Sequence, residues 1–436
     1  MLFVIVIVVL FTAISIVDIK YGACAYLAVR LLLPAFVRMV GINVSLNTFL
    51  SIVLFVACII QLRGKMMPII TKNINYIKII GFFSVLLAVC IPYGEVAPLK
   101  QVSALIQMII TEILPSICIL LSIRNIQSFK YFLYTFLLCS IITSIYGIFS
   151  FIVGANPYFV YMMDHYGNFQ DYQYDFSELA REKGGLAGYA AGMATGGPLK
   201  WSQIVLISSL FFVCFKSIIN KKLYIFTICL LTLNCFLTGQ RSAFLSLLLA
   251  FLYLNAKSIN LKRILISVFL GTTFLIFLTS VPSLKRYEAN IMSTILIWDD
   301  SYAKSSDIGG SSFKLRKEQA EATLNSLIES PLGKGQSFIK VYHEKYGSGV
   351  MRGFESVFFK VIWESGFIGI IAWSVLFVGS YRILPKNRFK SKGINAFYIG
   401  YITTIIFTGI QTTLYLFLLL NILIRIYFVT IVKRQL

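Results

Sequence analysis

A series of long apolar runs, in which alternate short loops carry lysine and arginine but no acid, constrains this chain more than any other feature. The runs are Leu2 to Val17, Gly22 to Val40, Ser45 to Gln61, Tyr76 to Pro92, Gln101 to Ile123, Lys130 to Val153, Trp201 to Phe215, Leu223 to Leu237, Ser242 to Ala256, Ile264 to Pro282 and Phe354 to Tyr381. A final run, Ile394 to Val432, covers 39 residues and is too long for one crossing, so it divides near Gln411 into two helices. Each crossing of the hydrocarbon takes roughly 20 apolar residues. With 58% of 436 residues apolar and 13% charged, the chain has material for about thirteen crossings, and twelve is the neighbouring count. The expected fold class is all-α, a polytopic transmembrane helical bundle of 12–13 spans. A soluble domain is excluded, because such domains carry about 25% charged residues.

The formal net charge of +21 then reads as topology. Short translocated loops avoid Lys and Arg, whereas Asp and Glu have little influence. Six segments, beginning with Arg63, Lys65, Lys72 and Lys78 and ending with Lys433 and Arg434, hold 19 cations and no acid. The two long loops, Gly154 to Lys200 and Ser283 to Arg352, hold 13 cations and 13 acids and belong on the other side. This divides the chain into N-terminal helices (1–153), a first extracytoplasmic loop (154–200), central helices (201–282), a large extracytoplasmic loop (283–352) and C-terminal helices (353–436). Thirteen spans with a cytoplasmic carboxyl end place Met1 outside, and merging one early span places it inside. The first run lacks a basic leader and a small-residue cleavage pattern, so it reads as a retained helix. Positive charge scattered through juxtamembrane loops suits membrane lipid headgroups, and no nucleic-acid partner is expected.

All eight cysteines fall in apolar runs, and the two histidines, His165 and His343, lie in different loops. Neither a disulfide nor a metal site is indicated. No internal repeat and no Walker-type glycine loop is visible, and no cofactor is expected.

Four segments carry candidate chemistry. In Leu237-Thr238-Gly239-Gln240-Arg241-Ser242 a very tight outer turn puts Arg241 at the mouth of the next helix. A planar fork of donors beside free backbone N–H groups suits a phosphate, the alternative being an arginine bound to a lipid headgroup. In Arg181-Glu182-Lys183-Gly184-Gly185-Leu186, Arg181 precedes a glycine-rich stretch. Glycines 188, 192 and 196 are spaced one helical turn apart, as close helix packing would use them. From Ser312 to Gly333, helical spacing puts Phe313, Ala320, Leu324 and Leu327 on one face with Arg316 among them, which predicts an amphipathic helix on the outer membrane surface. From Gly353 to Gly369, Glu355 opens a helix from the outer side, where it either pairs with Arg352 or acts as a general base. Lys360 and Glu364 are spaced to neutralise each other. Arg30, Arg38 and Arg425 lie near span ends and can snorkel, whereas Glu112 sits deep in its span, with Pro115 as a kink, and reads as a structural carboxyl.

These segments resemble, in order, the motifs of the O-antigen ligase and polymerase superfamily. LTGQRSAFLSLLLAF is similar to its Thr-Gly-Ser-Arg helix start. FKLRKEQAEATLNSLIESPLGKGQ is similar to its arginine helix ending in Pro-Leu-x-Gly-x-Gly. FESVFFKVIWESGFIGII resembles the segment that opens with His or Glu, and REKGGL resembles the Arg-x-x-Gly element of the preceding loop. The resemblance implies a GT-C-like bundle and a metal-independent, inverting glycosyltransferase in the bacterial inner membrane. Its active site would face the periplasm and act on undecaprenyl-diphosphate-linked oligosaccharides. It further implies that Arg241 and Arg316, with Arg181 as a third candidate, bind the diphosphate, and that Glu355 stands where ligases carry a histidine base. That departure favours a polymerase (Wzy) of O-antigen or other polysaccharide over a ligase (WaaL) acting on lipid A core. A chain-length regulator is a further expected partner. Tyr158, Phe159, Tyr161, Tyr166, Tyr172 and Tyr174 are candidate sugar-stacking rings, with an interfacial aromatic belt as the alternative. A lipid-linked sugar flippase or secondary transporter is the rival from another class. It would place charged sites at the midplane, often in repeated halves.

Overall fold

The computed structural model describes residues 2–39, 44–166, 189–256, 313–339, 341–342, 356–384, 391–408 and 413–431. In chain order the helices are α1 (Leu2–Val17), α2 (Ile19–Leu32), α3 (Leu46–Gln61), α4 (Met66–Lys72), α5 (Ile74–Val89), α6 (Pro98–Met108), α7 (Leu114–Ser122), α8 (Ile126–Val153) and α9 (Pro157–Tyr166). They continue as α10 (Pro198–Cys214), α11 (Lys221–Leu237), α12 (Arg241–Asn255), α13 (Phe313–Glu329), α14 (Val357–Arg382), α15 (Ser391–Ile406) and α16 (Leu414–Arg425). Among the described residues there is no strand, only the bridge between Arg38 and Ser45. Four helical segments, Ile74–Tyr93, Pro98–Ser122, Ile126–Val153 and Val357–Arg382, are long and apolar enough to cross a membrane. Shorter apolar helices, α1, α10, α12 and Leu414–Phe428, accompany them, and α3 with α4 forms a pair bent by 109°. The protein is therefore a polytopic helical membrane protein. The run Ile264 to Pro282 lies outside the described residues.

Two helices form the hub. In α10 every residue from Trp201 to Phe212 is buried, and in α16 every residue from Leu414 to Arg425. Both helices are enclosed by their neighbours on every side, and polar residues such as Gln203, Ser208 and Asn421 sit inside the bundle away from lipid. Around the hub, rings interlock: Phe136 meets Phe211 edge-on at 5.4 Å, and Phe417 stacks on Tyr401 at 4.3 Å. The outer helices keep one apolar face outward, as Leu138, Ile142 and Ile145 do on α8, where acyl chains replace protein. A second core unites α1, α2 and α3 with α9, through Tyr26, Leu50, Cys58, Phe159 and Met162.

Several buried polar side chains pair inside the bundle, as a low-dielectric interior favours. Asn234 accepts from Trp201 Nε1 at 3.1 Å and donates to the Ser144 carbonyl at 3.0 Å. Gly147 leaves the room for this, since a Cβ there would meet the Asn234 side chain. Arg425 does not snorkel: it donates to the Ile383 carbonyl at 2.9 Å and to Asn73 at 3.4 Å. Between α6 and α7 the helix widens into a π turn, Ile109–Ile113, ahead of Pro115. Such a turn inserts one residue and is a frequent mark of a functional position. It carries Glu112.

The segment from Tyr189 to Gly197 is irregular rather than helical, which corrects the helical-packing reading of its glycines. Its backbone is committed elsewhere: Ala191 N–H donates to Ser150 Oγ at 2.9 Å, and Asn156 Nδ2 donates to the Thr195 carbonyl at 2.9 Å. Close approach is nonetheless what the glycines supply. A Cβ on Gly192 would strike the Trp201 ring, and one on Gly196 the Phe159 ring. Gly188 lies outside the described residues.

Candidate active site

The turn that carries Arg241 is held on both sides. Thr238 ends α11 with its hydroxyl donating to the Cys235 carbonyl at 2.7 Å, and Gly239 takes φ +62°, a left-handed value that glycine adopts without strain. The chain enters α12 at Arg241, whose side chain is half-buried. Across the turn, Ala190 N–H donates to the Leu237 carbonyl at 2.8 Å and ties in the end of the first long loop. Arg241 thus stands at a helix N-terminus, where unpaired backbone N–H groups favour an anion.

The residue after it begins a chain of hydrogen bonds. Ser242 Oγ and Thr408 Oγ1 lie 2.6 Å apart, and the Thr408 carbonyl accepts the Val357 N–H at 2.9 Å. One turn deeper, Ser246 and Thr404 repeat the contact at 2.9 Å. Ser356 caps α14 by accepting the Phe358 N–H at 3.1 Å. The starts of α12 and α14 and the end of α15 therefore converge. Glu355 precedes that cap in sequence but lies outside the described residues, as do Arg181, Arg352, Tyr172 and Tyr174.

Arg316 lies in the first turns of α13, half-buried, on the helix face that turns inward. That face differs from the expected one. Gln319, Thr323 and Ser326 are the buried residues, whereas Leu324 and Ile328 are 59% and 81% exposed. The reason is the partner: Trp363 of α14 presents an indole N–H, which donates to Thr323 Oγ1 at 3.1 Å. The helix packs a polar seam against α14 and turns its leucine and isoleucine away.

Beyond α13, the run Pro331 to Ser337 docks onto a break in α14. Gly366 has φ +55° and ψ −142°, and a Cβ there would collide with the Pro331 carbonyl. The break frees carbonyls that the loop then uses: Lys334 N–H donates to the Trp363 carbonyl at 2.8 Å and Gly335 N–H to the Glu364 carbonyl at 3.0 Å. In return Phe367 N–H donates to the Pro331 carbonyl at 2.9 Å. Glu364, 6% exposed, accepts the Ser337 N–H at 3.2 Å and also feels the charge of Lys360, so its carboxylate serves this loop as well as its own helix. Gln336 Nε2 donates to Ser365 Oγ at 2.8 Å. A further clamp is Gln101, fully buried, which donates to the Val96 carbonyl at 2.7 Å and accepts the Gln336 N–H at 3.1 Å.

The first-loop aromatics divide by burial. Phe159 is used up in the core, edge-on to Phe36 at 5.0 Å. Tyr158 packs against Tyr146 at 6.1 Å, and burial pushes its hydroxyl up to about 12, so it stays a neutral hydrogen-bonding group near pH 7. Tyr161 is exposed and stacks on His165 at 4.2 Å.

Sequence reading missed Ser242, Thr408, Thr413 and Gln101, because a hydroxyl or amide inside an apolar run carries no motif. The signal was there in a weaker form, as polar residues in segments that lipid would otherwise exclude. Residues 225–374 match the family model described as O-antigen ligase (Wzy_C), and no curated protein matches the chain. The matched stretch contains Arg241, Arg316, Glu355 and the part of α14 that includes its break at Gly366.

Proposed function

We propose a reaction for a chain that residues 225–374 place in the O-antigen ligase and polymerase superfamily, whose members are glycosyltransferase-like enzymes acting on lipid-linked polysaccharide. The reading favoured here is polymerisation: the growing glycan leaves one undecaprenyl diphosphate and joins a second lipid-linked repeat unit. The anomeric carbon to diphosphate oxygen bond breaks, a bond from that carbon to an acceptor hydroxyl forms, and the diphosphate carries away the electron pair. Arg241 and Arg316 stabilise the charge that grows on the departing oxygen, with Arg181 as a third donor. Fixed guanidinium groups are worth most where charge develops during bond stretching. They remove the need for a divalent metal. Glu355 takes the acceptor proton as the anomeric centre inverts.

The observation that carries this reading is the bonded path from Ser242 through Thr408 to Val357. It couples the residue beside Arg241 to the helix start that follows Glu355, so an anion-binding group and a carboxylate come from segments joined by two hydrogen bonds. A second reading, transfer of finished glycan to lipid A core, is favoured by the description of the matching family as a ligase. The glycan ladder of a deletion strain separates them. Loss of a polymerase leaves lipopolysaccharide capped by one repeat, and loss of a ligase leaves bare core. Elongation by purified protein in detergent, with no closed vesicle, excludes a pure transporter.

A further inference from the structure

A second cationic site lies at the same end of the bundle, built from residues far apart in sequence. A small cavity there is lined by Arg30 from the last turn of α2, Asn47 from the first turn of α3, Ala194, Lys200 from the first turn of α10, and Tyr415 at the start of α16. The Arg30 guanidinium lies 3.8 Å over the Tyr415 ring and 3.8 Å from Glu112 Oε1. The other Glu112 oxygen accepts the Tyr415 N–H at 2.7 Å, so the π turn aims this carboxylate at the site. Arg30 is therefore buried in a stack and an ion pair instead of snorkelling.

The charges do not balance. Among the described residues two cations, Arg30 and Lys200, face one carboxylate, Glu112. Lys200 makes no hydrogen bond or ion pair among the described residues, and neither does the side-chain amide of Asn47, which is 5% exposed and lines the cavity. A surplus cation enclosed by apolar helices is costly unless an anion joins it. Buried donors of this kind are also normally satisfied. The open space is about 10 Å³, enough for a single oxygen-sized group and too small for a sugar ring.

We propose that this cavity is a second phosphate site, which takes an anionic phosphoryl oxygen of a membrane-borne lipid phosphate between Lys200, Asn47 and Arg30. Its function rests on the polymerase reading above. That reaction consumes two lipid-linked substrates, and this site holds the acceptor's diphosphate while Arg241 and Arg316 hold the donor's. The two sites are structurally joined. The segment bonded to Leu237 through Ala190 contributes Ala194 to the cavity wall. Gln203, one turn along α10 from Lys200, accepts from Thr413 Oγ1 at 3.0 Å, and Thr413 follows Thr408 by five residues, at most about 18 Å of chain.

The test is native mass spectrometry on the full-length protein in detergent, counting bound undecaprenyl diphosphate. Wild type is expected to hold two molecules, and Lys200→Gln and Arg241→Ala one each. Lys200→Gln raises the dissociation constant of the lost molecule about tenfold or more. Lys200→Arg keeps the charge and keeps two, and Asn47→Leu, which leaves both cations in place, weakens the same molecule. Two molecules still bound by Lys200→Gln and Asn47→Leu, or a single one in wild type that only Arg241→Ala removes, overturns the proposal. Selective displacement of the Lys200-dependent molecule by phosphatidylglycerol or by inorganic diphosphate overturns the acceptor assignment, and identifies a headgroup or a free ion as the source. A deletion strain with bare core, alongside a Lys200-dependent lipid, refutes the polymerase reading while the phosphate site stands.

Discussion

The two cationic regions are built in opposite ways. Around Arg241 the geometry is set largely by backbone: a left-handed glycine, a helix start, and a single threonine, Thr408, that donates to Ser242 Oγ and accepts the Val357 N–H. Around Lys200 it is set by side chains, with an arginine on a tyrosine ring and one carboxylate for two cations. A backbone-built site is rigid before any ligand arrives and suits charge that appears only during bond breaking. A side-chain site with surplus charge holds a group whose charge is constant. The first is expected to govern turnover and the second affinity.

Removing a guanidinium proposed to hold the donor diphosphate is the hardest test of that contrast. Arg241→Ala or Arg316→Ala is expected to lower kcat for elongation by about 10²–10³-fold. The yield of inserted protein should stay unchanged, as read from polymer length and membrane abundance. Unaltered polymer in both variants removes these arginines from the reaction. Next in size is Gly366→Ala, where a Cβ meets the Pro331 carbonyl at a left-handed φ; a loss of about 3 kcal/mol is expected in detergent unfolding. Wild-type stability there would mean that the docking of Pro331 to Ser337 is incidental. Lys200→Gln should raise KM for the lipid-linked acceptor about tenfold with kcat preserved. A fall in kcat instead would merge the two regions into one. The smallest effect is expected from Ser242→Ala and Thr408→Val, about 1 kcal/mol each, less than additive in the double variant, as a shared hydrogen bond requires.

The same contrast explains what was legible in the sequence. Apolar runs announced a helical membrane protein, and the turn at Gly239 and the division between α15 and α16 fall where composition placed them. The segment Pro331 to Gln336 could be recognised because backbone-built sites need glycine and proline at fixed offsets, which leave a pattern. Arg30, Asn47, Glu112, Lys200 and Tyr415 leave none. They are brought together by the packing of α2, α3, α10 and α16 around the π turn that carries Glu112, and taken singly they read as residues near span ends or, for Glu112, as a structural carboxyl. Helix α13 shows a third case. Its periodicity grouped Leu324 with Arg316 on one face, yet the partner surface offered an indole N–H, and the stripe of Gln319, Thr323 and Ser326 took the buried position. Amphipathic spacing identifies a helix, but the chemistry of the opposing surface decides which stripe is enclosed.

Gln101 has a mechanical consequence. Its one side chain fastens the link between α5 and α6 to the loop that rides on α14, and Glu95 N–H adds a bond to the Lys334 carbonyl at 2.8 Å. That flank of the bundle is stapled shut. If the proposed reaction holds, a lipid-linked substrate entering sideways from the bilayer would use a different seam, with this edge as the fixed jamb.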